Sequence, residues 1–336
     1  YRGDVVLLGP LFRSLRLHWP EARLSALVEA PYAPVLALNP DVDETLALPR
    51  QASEWPGFIG RIRRARFTHV LDLDNNERTA LLTRLTGAPV RVALWHVNFR
   101  WAACYTANVR HPAEIHERSS IMDYYLACLA AVQVPVGSRE VRLVPRAADV
   151  AAARMLVQPG GRKLLVHPGS RSPWRVWPPR HFAAICDRVQ EELGAQVFVV
   201  GGPDDRATVA EIRRLAQGHV VAIDPPLGLT AFAAFAAQFG VMLCHDSGPM
   251  HVAAAVGTRV VALLGSQNPV LFAPAGDGHT LLRPPLPCLA CVSPGRCVPG
   301  DSYHNHCVQN IAVADVWSAL CGRLGHDHAG ASQKTP

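Results

Sequence analysis

CHDSGPMHVAAAVG, Cys244 to Gly257, joins two stretches of opposite character. The apolar run Val241–Leu243 leads into it, an Ala-rich helical run leaves it, and RVVALLG (259–265) follows as a second strand. Strands this continuously apolar are buried on both faces, the mark of a parallel sheet sandwiched between helices. In such sheets ligands bind beyond the carboxyl ends of the strands, where each following helix begins. A helix start offers unpaired N–H groups and partial positive charge, which suits an anion. Asp246 and Ser247 stand where caps belong, and Ser247 has a hydroxyl to donate to phosphate. Gly248 permits close backbone approach, and Pro249 fits a first helical turn. His251 follows one turn later. An ordinary capped helix with a core histidine accounts for any one of these residues; HDSGPMH as a whole reads as an anion site.

Outward from this stretch the same strand–loop–helix rhythm fills the chain. In the second half KLLVHPGS, AQVFVVGGP, VVAI and GVMLCHD read as strands with their loops. PPRHFAAICDRVQEELG, DDRATVAEIRRLA, LTAFAAFAAQF and IAVADVWSALCGRL (311–324) read as helices. In the first half VVLLGPLFRSLRLHW has helical spacing, with Asp4 where an N-cap belongs. ARLSALV (22–28), DETLAL, FTHVLDLD and PVRVAL read as strands. YAPVLAL, GFIGRIRRA, ERTALLTRLTG closed by Gly87, and a long segment over 116–132 read as helices. VPVGSREVRLVPR (134–146) is the connection between two doubly wound halves. Residues 1–145 are expected to form the first domain and 146–325 the second, with 326–336 a disordered tail.

Two further loops add to the site. HPGSRSPWRVWPPRHF (167–182) follows a strand and places Ser170, Arg171 and Arg175 at its carboxyl end, a clamp suited to phosphate. The alternative is a loop of solvated arginines. Gly201 and Gly202 end another strand and are consistent with a base or ribose passing close by.

The 336 residues carry 49% hydrophobic and 18% charged side chains, a net charge of +6 and a pI near 9.0. The basic balance favours anionic small molecules, glycolipid or membrane surface; without a nucleic-acid signature, nucleic acid is not expected as a partner. No apolar run approaches the roughly 18 residues of a membrane span, and no secretory signal is visible. Nine cysteines, an odd number, suit a reduced, cytoplasmic protein better than a disulfide scaffold. Cys288, Cys291, Cys297 and Cys307, with His304 and His306 nearby, have ligand types that zinc uses, so a structural zinc is one reading of that loop. Asp72-Leu73-Asp74 has the D-x-D form of a metal motif but lies in the half away from the expected donor loops. No G-x-G-x-x-G follows a strand, which disfavours a dinucleotide cofactor.

Taken in order, GD-VVLLGPLFRSLRLHWPEARLSALV, NPDVDE, THVLDLDNNERTALL, HPGS…R-V-WPPRHF, VVGGP and HDSGPMHVAAAVGTRVVALLGSQNP resemble glycosyltransferase family 9, that of the ADP-heptose:lipopolysaccharide heptosyltransferases. D-S-G-x-x-H is the most specific element. The resemblance implies an α/β chain of GT-B fold, two Rossmann-like domains facing a central cleft. The first would hold a lipid A–inner-core saccharide or other glycolipid, the second the nucleotide-heptose. It implies inverting heptose transfer from ADP-heptose with no metal or other cofactor, on or near the cytoplasmic face of the inner membrane. Asp4 falls on the proposed general base, though capping explains its position equally well. Ser170 falls on the loop hydroxyl, Arg175 on a phosphate-contacting position that is usually Lys, and Asp246, Ser247, Gly248 and His251 on the donor motif. Alternatives are another GT-B nucleotide-sugar enzyme with a different donor, or a nucleotide-sugar-binding protein without turnover. Family members carry a strand ahead of the Gly-Asp loop. That first strand has no counterpart in the sequence, so a longer native product, or a neighbouring segment filling its place, is expected.

Overall fold

The computed structural model of the chain describes residues 5–74, 76–95, 101–111, 118–157, 159–170, 175–265, 268–284 and 307–324. The chain divides into two compact units, Leu7–Glu140 and a second that takes Val141 onward together with Val5 and Val6.

In the first unit, α1 (Gly9–His18) buries Leu11, Phe12 and Leu15 along one side, the helical spacing expected of them. Its start is uncapped by any side chain, Pro10 supplying the favoured φ in the first turn. Asp4 lies outside the described residues. The unit continues with β1 (Ser25–Val28), α2 (Ala33–Leu36), β2 (Glu44–Ala47), α3 (Trp55–Arg64), β3 (His69–Asp72), α4 (Glu77–Thr86), β4 (Val90–Trp95), β5 (Ala107–Arg110) and α5 (Ile121–Leu126). The α4 helix is fixed at both ends. The Asn76 side chain accepts the Thr79 N–H at 3.0 Å, and Gly87 closes the helix at a φ of +73°. The strands pair in parallel within two separate ladders, β1–β2 and β3–β4–β5. The long helix expected over 116–132 is shorter where it is described. Ser120 caps it by accepting the Met122 N–H at 3.2 Å, and after Leu126 it tightens to a 3-10 turn that ends at Val132.

The second unit opens with α6 (Ala147–Leu156). It then runs β6 (Lys163–His167), α7 (Pro179–Leu193), β7 (Gln196–Val199), α8 (Arg206–Leu215), β8 (Val220–Ala222), α9 (Leu229–Ala236), β9 (Val241–His245), α10 (Gly248–Ala255), β10 (Arg259–Leu263), β11 (Thr280–Leu282) and α11 (Val313–Leu324). Six parallel strands lie in the order β11-β10-β9-β6-β7-β8. The chain builds outward from β6 through β7 to β8, then returns to the other side of β6 and builds outward through β9, β10 and β11. The reversal falls between β6 and β9, where Leu164 pairs Val241 and His167 pairs Cys244. Every residue of β9 is buried, and one layer of core joins Val166, Leu243 and Val261 of the sheet to Trp177, Phe182, Val316 and Leu320. Among the described residues no helix is long and apolar enough to cross a membrane. The expected tail, residues 326–336, lies outside them.

Candidate functional site

Strand-order reversal opens a crevice at the carboxyl ends of the two strands that flank it, because their connections leave toward opposite faces of the sheet. Here those ends are His167 of β6 and His245 of β9. The loops that leave them are the two singled out by sequence: His167–Pro168–Gly169–Ser170, and Asp246–Ser247 running into Gly248 at the start of α10. Of the nine expected site residues within the second unit, Ser170 lies in the first of these loops, Asp246 and Ser247 in the second, Gly248 and His251 in the α10 helix that follows it, and Arg175 between β6 and α7. Arg171 lies outside the described residues.

Local geometry departs from simple capping. Ser247 takes the N-cap position with extended backbone, φ −156° and ψ +166°, yet no side chain caps the helix. Its hydroxyl instead donates back to the His245 carbonyl at 3.3 Å. The N–H of Gly248 is thus at the amino end of a helix that its N-cap residue Ser247 leaves uncapped, the arrangement that suits an anion. Asp246 is 9% exposed, and its backbone N–H donates to the Leu263 carbonyl at 3.3 Å, tying the loop to the neighbouring strand.

Burial disfavours the charged form of His245 and His251. His251 is 4% exposed; burial, assisted by the nearby His279, pushes its pKa down to about 4. Burial pushes His245 down to about 3, opposed by the nearby backbone of Gly169 and Pro168, which favours the charged ring. Neither His245 nor His251 therefore adds positive charge here, whereas a helix start carries it in part.

Gly201 and Gly202 lie against another part of the chain. A Cβ on Gly201 would lie 2.7 Å from the Asp205 Cβ and 3.0 Å from Val209 Cγ2. The Gly202 N–H already donates to Asp205 Oδ2 at 2.7 Å. The close approach these glycines allow is to the chain's own Asp205, whose carboxylate also packs on Gly169. Asp205, His245 and Trp177 were given no individual role by the sequence, although His245 and Trp177 stand within the stretches singled out there. The Trp177 N–H donates to His245 Nε2 at 2.8 Å, and its indole N–H to the Ile311 carbonyl at 3.0 Å.

Of the cysteine cluster, Cys288, Cys291 and Cys297 lie outside the described residues, as do His304 and His306. Cys307 is described, and its Sγ packs where a Cβ on Gly265 would lie 3.0 Å away. In the first unit, the D-x-D carboxylates are engaged locally. Asp72 is buried and accepts the Tyr105 hydroxyl at 2.7 Å and the Asp74 N–H at 3.1 Å. Burial, with the Asp72 charge beside it, raises the Asp74 pKa.

Comparison with known proteins agrees with this architecture. The family described as Glycosyltransferase family 9 (heptosyltransferase) matches residues 57–298. Lipopolysaccharide heptosyltransferase 3 of Escherichia coli is 23% identical, over 82% of this chain and 84% of that protein. The crystal structure of a glycosyl transferase family 9 protein from Veillonella parvula superposes with a TM-score of 0.83 at 21% identity, covering 96% of this chain and 94% of that one. E. coli ADP-heptose lps heptosyltransferase II gives a TM-score of 0.80 at 21% identity, with 98% and 97% covered. The shared fold is GT-B, with two Rossmann-like α/β units.

Proposed function

The chain belongs to glycosyltransferase family 9, the heptosyltransferase family, and from that premise we propose that it transfers heptose from ADP-heptose to a lipopolysaccharide core or related glycan acceptor, with inversion at the anomeric carbon and without a metal ion. The observation that carries this reading is the pairing of two loops at the β6/β9 reversal, one bearing Ser170 and Arg175, the other leading into the uncapped start of α10. A nucleoside diphosphate is the leaving group that such a crevice favours.

In the proposed reaction an acceptor hydroxyl forms a bond to the anomeric carbon while the bond from that carbon to the diphosphate oxygen breaks. The diphosphate departs with the electron pair, and its negative charge grows as it leaves. Arg175 and the amino end of α10 stabilise that charge. Ser170 and Ser247 supply hydroxyls for the phosphate oxygens. Asp4 takes the proton of the attacking hydroxyl as general base. Buried neutral His251 lines the same end of the helix without adding charge. The net charge of +6 favours meeting an anionic glycolipid at the cytoplasmic face of the inner membrane.

The test is product formation. Purified protein incubated with ADP-heptose and heptose-deficient core acceptors should give an acceptor heavier by one heptose, read by mass spectrometry, in the presence of chelator. Transfer from a UDP-sugar in place of ADP-heptose would overturn the donor assignment. Loss of transfer on chelation would overturn metal independence.

A further inference from the structure

His245 ends β9 fully buried, and its side chain leaves its own strand to reach the other loop of the crevice. Nε2 accepts the Trp177 N–H at 2.8 Å, across 68 residues of sequence. Trp177 is two residues beyond Arg175 and cannot follow a displaced loop. Its indole is bonded to the Ile311 carbonyl at 3.0 Å and packs edge-on against Phe182, centroids 5.0 Å apart. Phe182 in turn meets the His245 ring edge-on at 5.4 Å. The backbone of Pro168 and Gly169 also lies close to the imidazole, although Nδ1 has no hydrogen-bond partner among the described residues. One ring therefore touches both stems of the loop that carries Ser170 and Arg175. The backbone of the same residue accepts the Ser247 hydroxyl and leads directly into Asp246, Ser247 and Gly248.

We infer that His245 is a positioning residue for the donor site: its imidazole, acting as a hydrogen-bond acceptor, sets the place of Arg175 relative to the amino end of α10. This rests on the donor reading given above. The chemistry required is narrow. An acceptor must lie beside the Trp177 N–H, in a volume closed on all sides, and it must carry no positive charge. An amide oxygen meets these conditions; an aliphatic side chain fills the volume but leaves the Trp177 N–H buried and unpaired.

Six proteins test this: wild type, His245→Asn, His245→Gln, His245→Leu, Arg175→Ala, and Arg175→Ala combined with His245→Leu. ADP affinity is measured by calorimetry and protection of the Trp177 amide by hydrogen exchange, the latter without nucleotide. Steady-state constants are measured for donor and acceptor separately. His245→Leu is expected to lose Trp177 protection, to bind ADP about tenfold more weakly, the scale of one buried hydrogen bond, and to keep the acceptor KM of the wild type. At least one amide variant is expected to restore both ADP affinity and Trp177 protection. Combined with Arg175→Ala, His245→Leu should cost little further ADP affinity, because its effect passes through Arg175. A folded His245→Leu protein with wild-type ADP affinity would overturn the inference, as would losses that simply add to those of Arg175→Ala. Should His245→Leu fail to fold, the amide variants decide: two folded variants that both bind ADP tenfold more weakly overturn it. Failure of the wild type itself to bind ADP would overturn the donor reading instead, and is distinguished by the first titration.

Discussion

Gly169 and Asp205 touch across the carboxyl ends of neighbouring strands, so closely that any Cβ at residue 169 would fall within the Asp205 carboxylate. The same carboxylate holds the Gly202 N–H, so it cannot withdraw without leaving that amide. Gly169→Ala is therefore expected to lower stability by about 1–3 kcal/mol through overpacking, and to weaken ADP binding by shifting Ser170. Asp205→Ala opens the space that the new methyl needs. The double variant should thus be more stable than the sum of the two single losses predicts. Urea denaturation of the four proteins gives the coupling; strict additivity would show that the two residues do not share this space.

In the proposed reaction Arg175 supplies charge that stabilises the leaving diphosphate. Removing it as Arg175→Ala should raise the donor KM and lower kcat, with kcat/KM falling about 100-fold, the scale of losing one preorganised charge-stabilising donor. Arg175→Lys keeps the charge without the planar fork and should recover part of the loss. Kinetics with the acceptor held saturating separate the two constants. Unchanged kcat/KM in Arg175→Ala would remove the residue from the phosphate.

Asp4 has a different signature if it is the base. Asp4→Asn retains size and most hydrogen bonding but cannot hold the acceptor proton. Turnover should fall by about two to four orders of magnitude, with ADP affinity by calorimetry nearly unchanged. If Asp4 only caps the following helix, the variant should turn over near the wild-type rate, since Asn caps a helix about as well as Asp.

Much of the second unit was legible because its central strands are short, continuous apolar runs. KLLVH, QVFV, VMLCH and RVVAL stand out against the amphipathic helices between them, and all lie in the sheet as expected. What went unseen was peripheral. Thr280–Leu282 is a half-buried edge strand of three residues, and Ala107–Arg110 alternates half-buried and exposed positions within a polar stretch. The α6 helix buries only Ala153 and has little amphipathic signal to give. At the site, the loops were legible from the strand-to-helix pattern, but their partners were not. Which strands are neighbours is a property of topology, and topology brings Asp205 of the β7–α8 turn onto Gly169, and Trp177 onto His245. Local sequence does not show that Asp205, four residues further along the same chain, packs against Gly201.

Two buried histidines of the second unit, His245 and His251, also set how the fold responds to acid. Both are neutral when folded, with pKa values pushed down to about 3 for His245 and about 4 for His251, chiefly by burial. In the unfolded chain each titrates near pH ~6.5. Below that pH the unfolded state binds protons that the folded state refuses, so unfolding gains free energy as the solution is acidified. Their destabilising effect is absent at neutral pH. It grows from about pH 6.5 downward, on the order of 1 kcal/mol per pH unit for each histidine, until the folded rings themselves protonate near their lowered values. Urea midpoints should therefore fall steadily between about pH 7 and about pH 5. His245→Gln, which cannot take up a proton, should show a shallower decline than the wild type over the same interval. Equal slopes for the two proteins would mean that His245 is not the neutral, enclosed acceptor of the Trp177 amide that its burial requires.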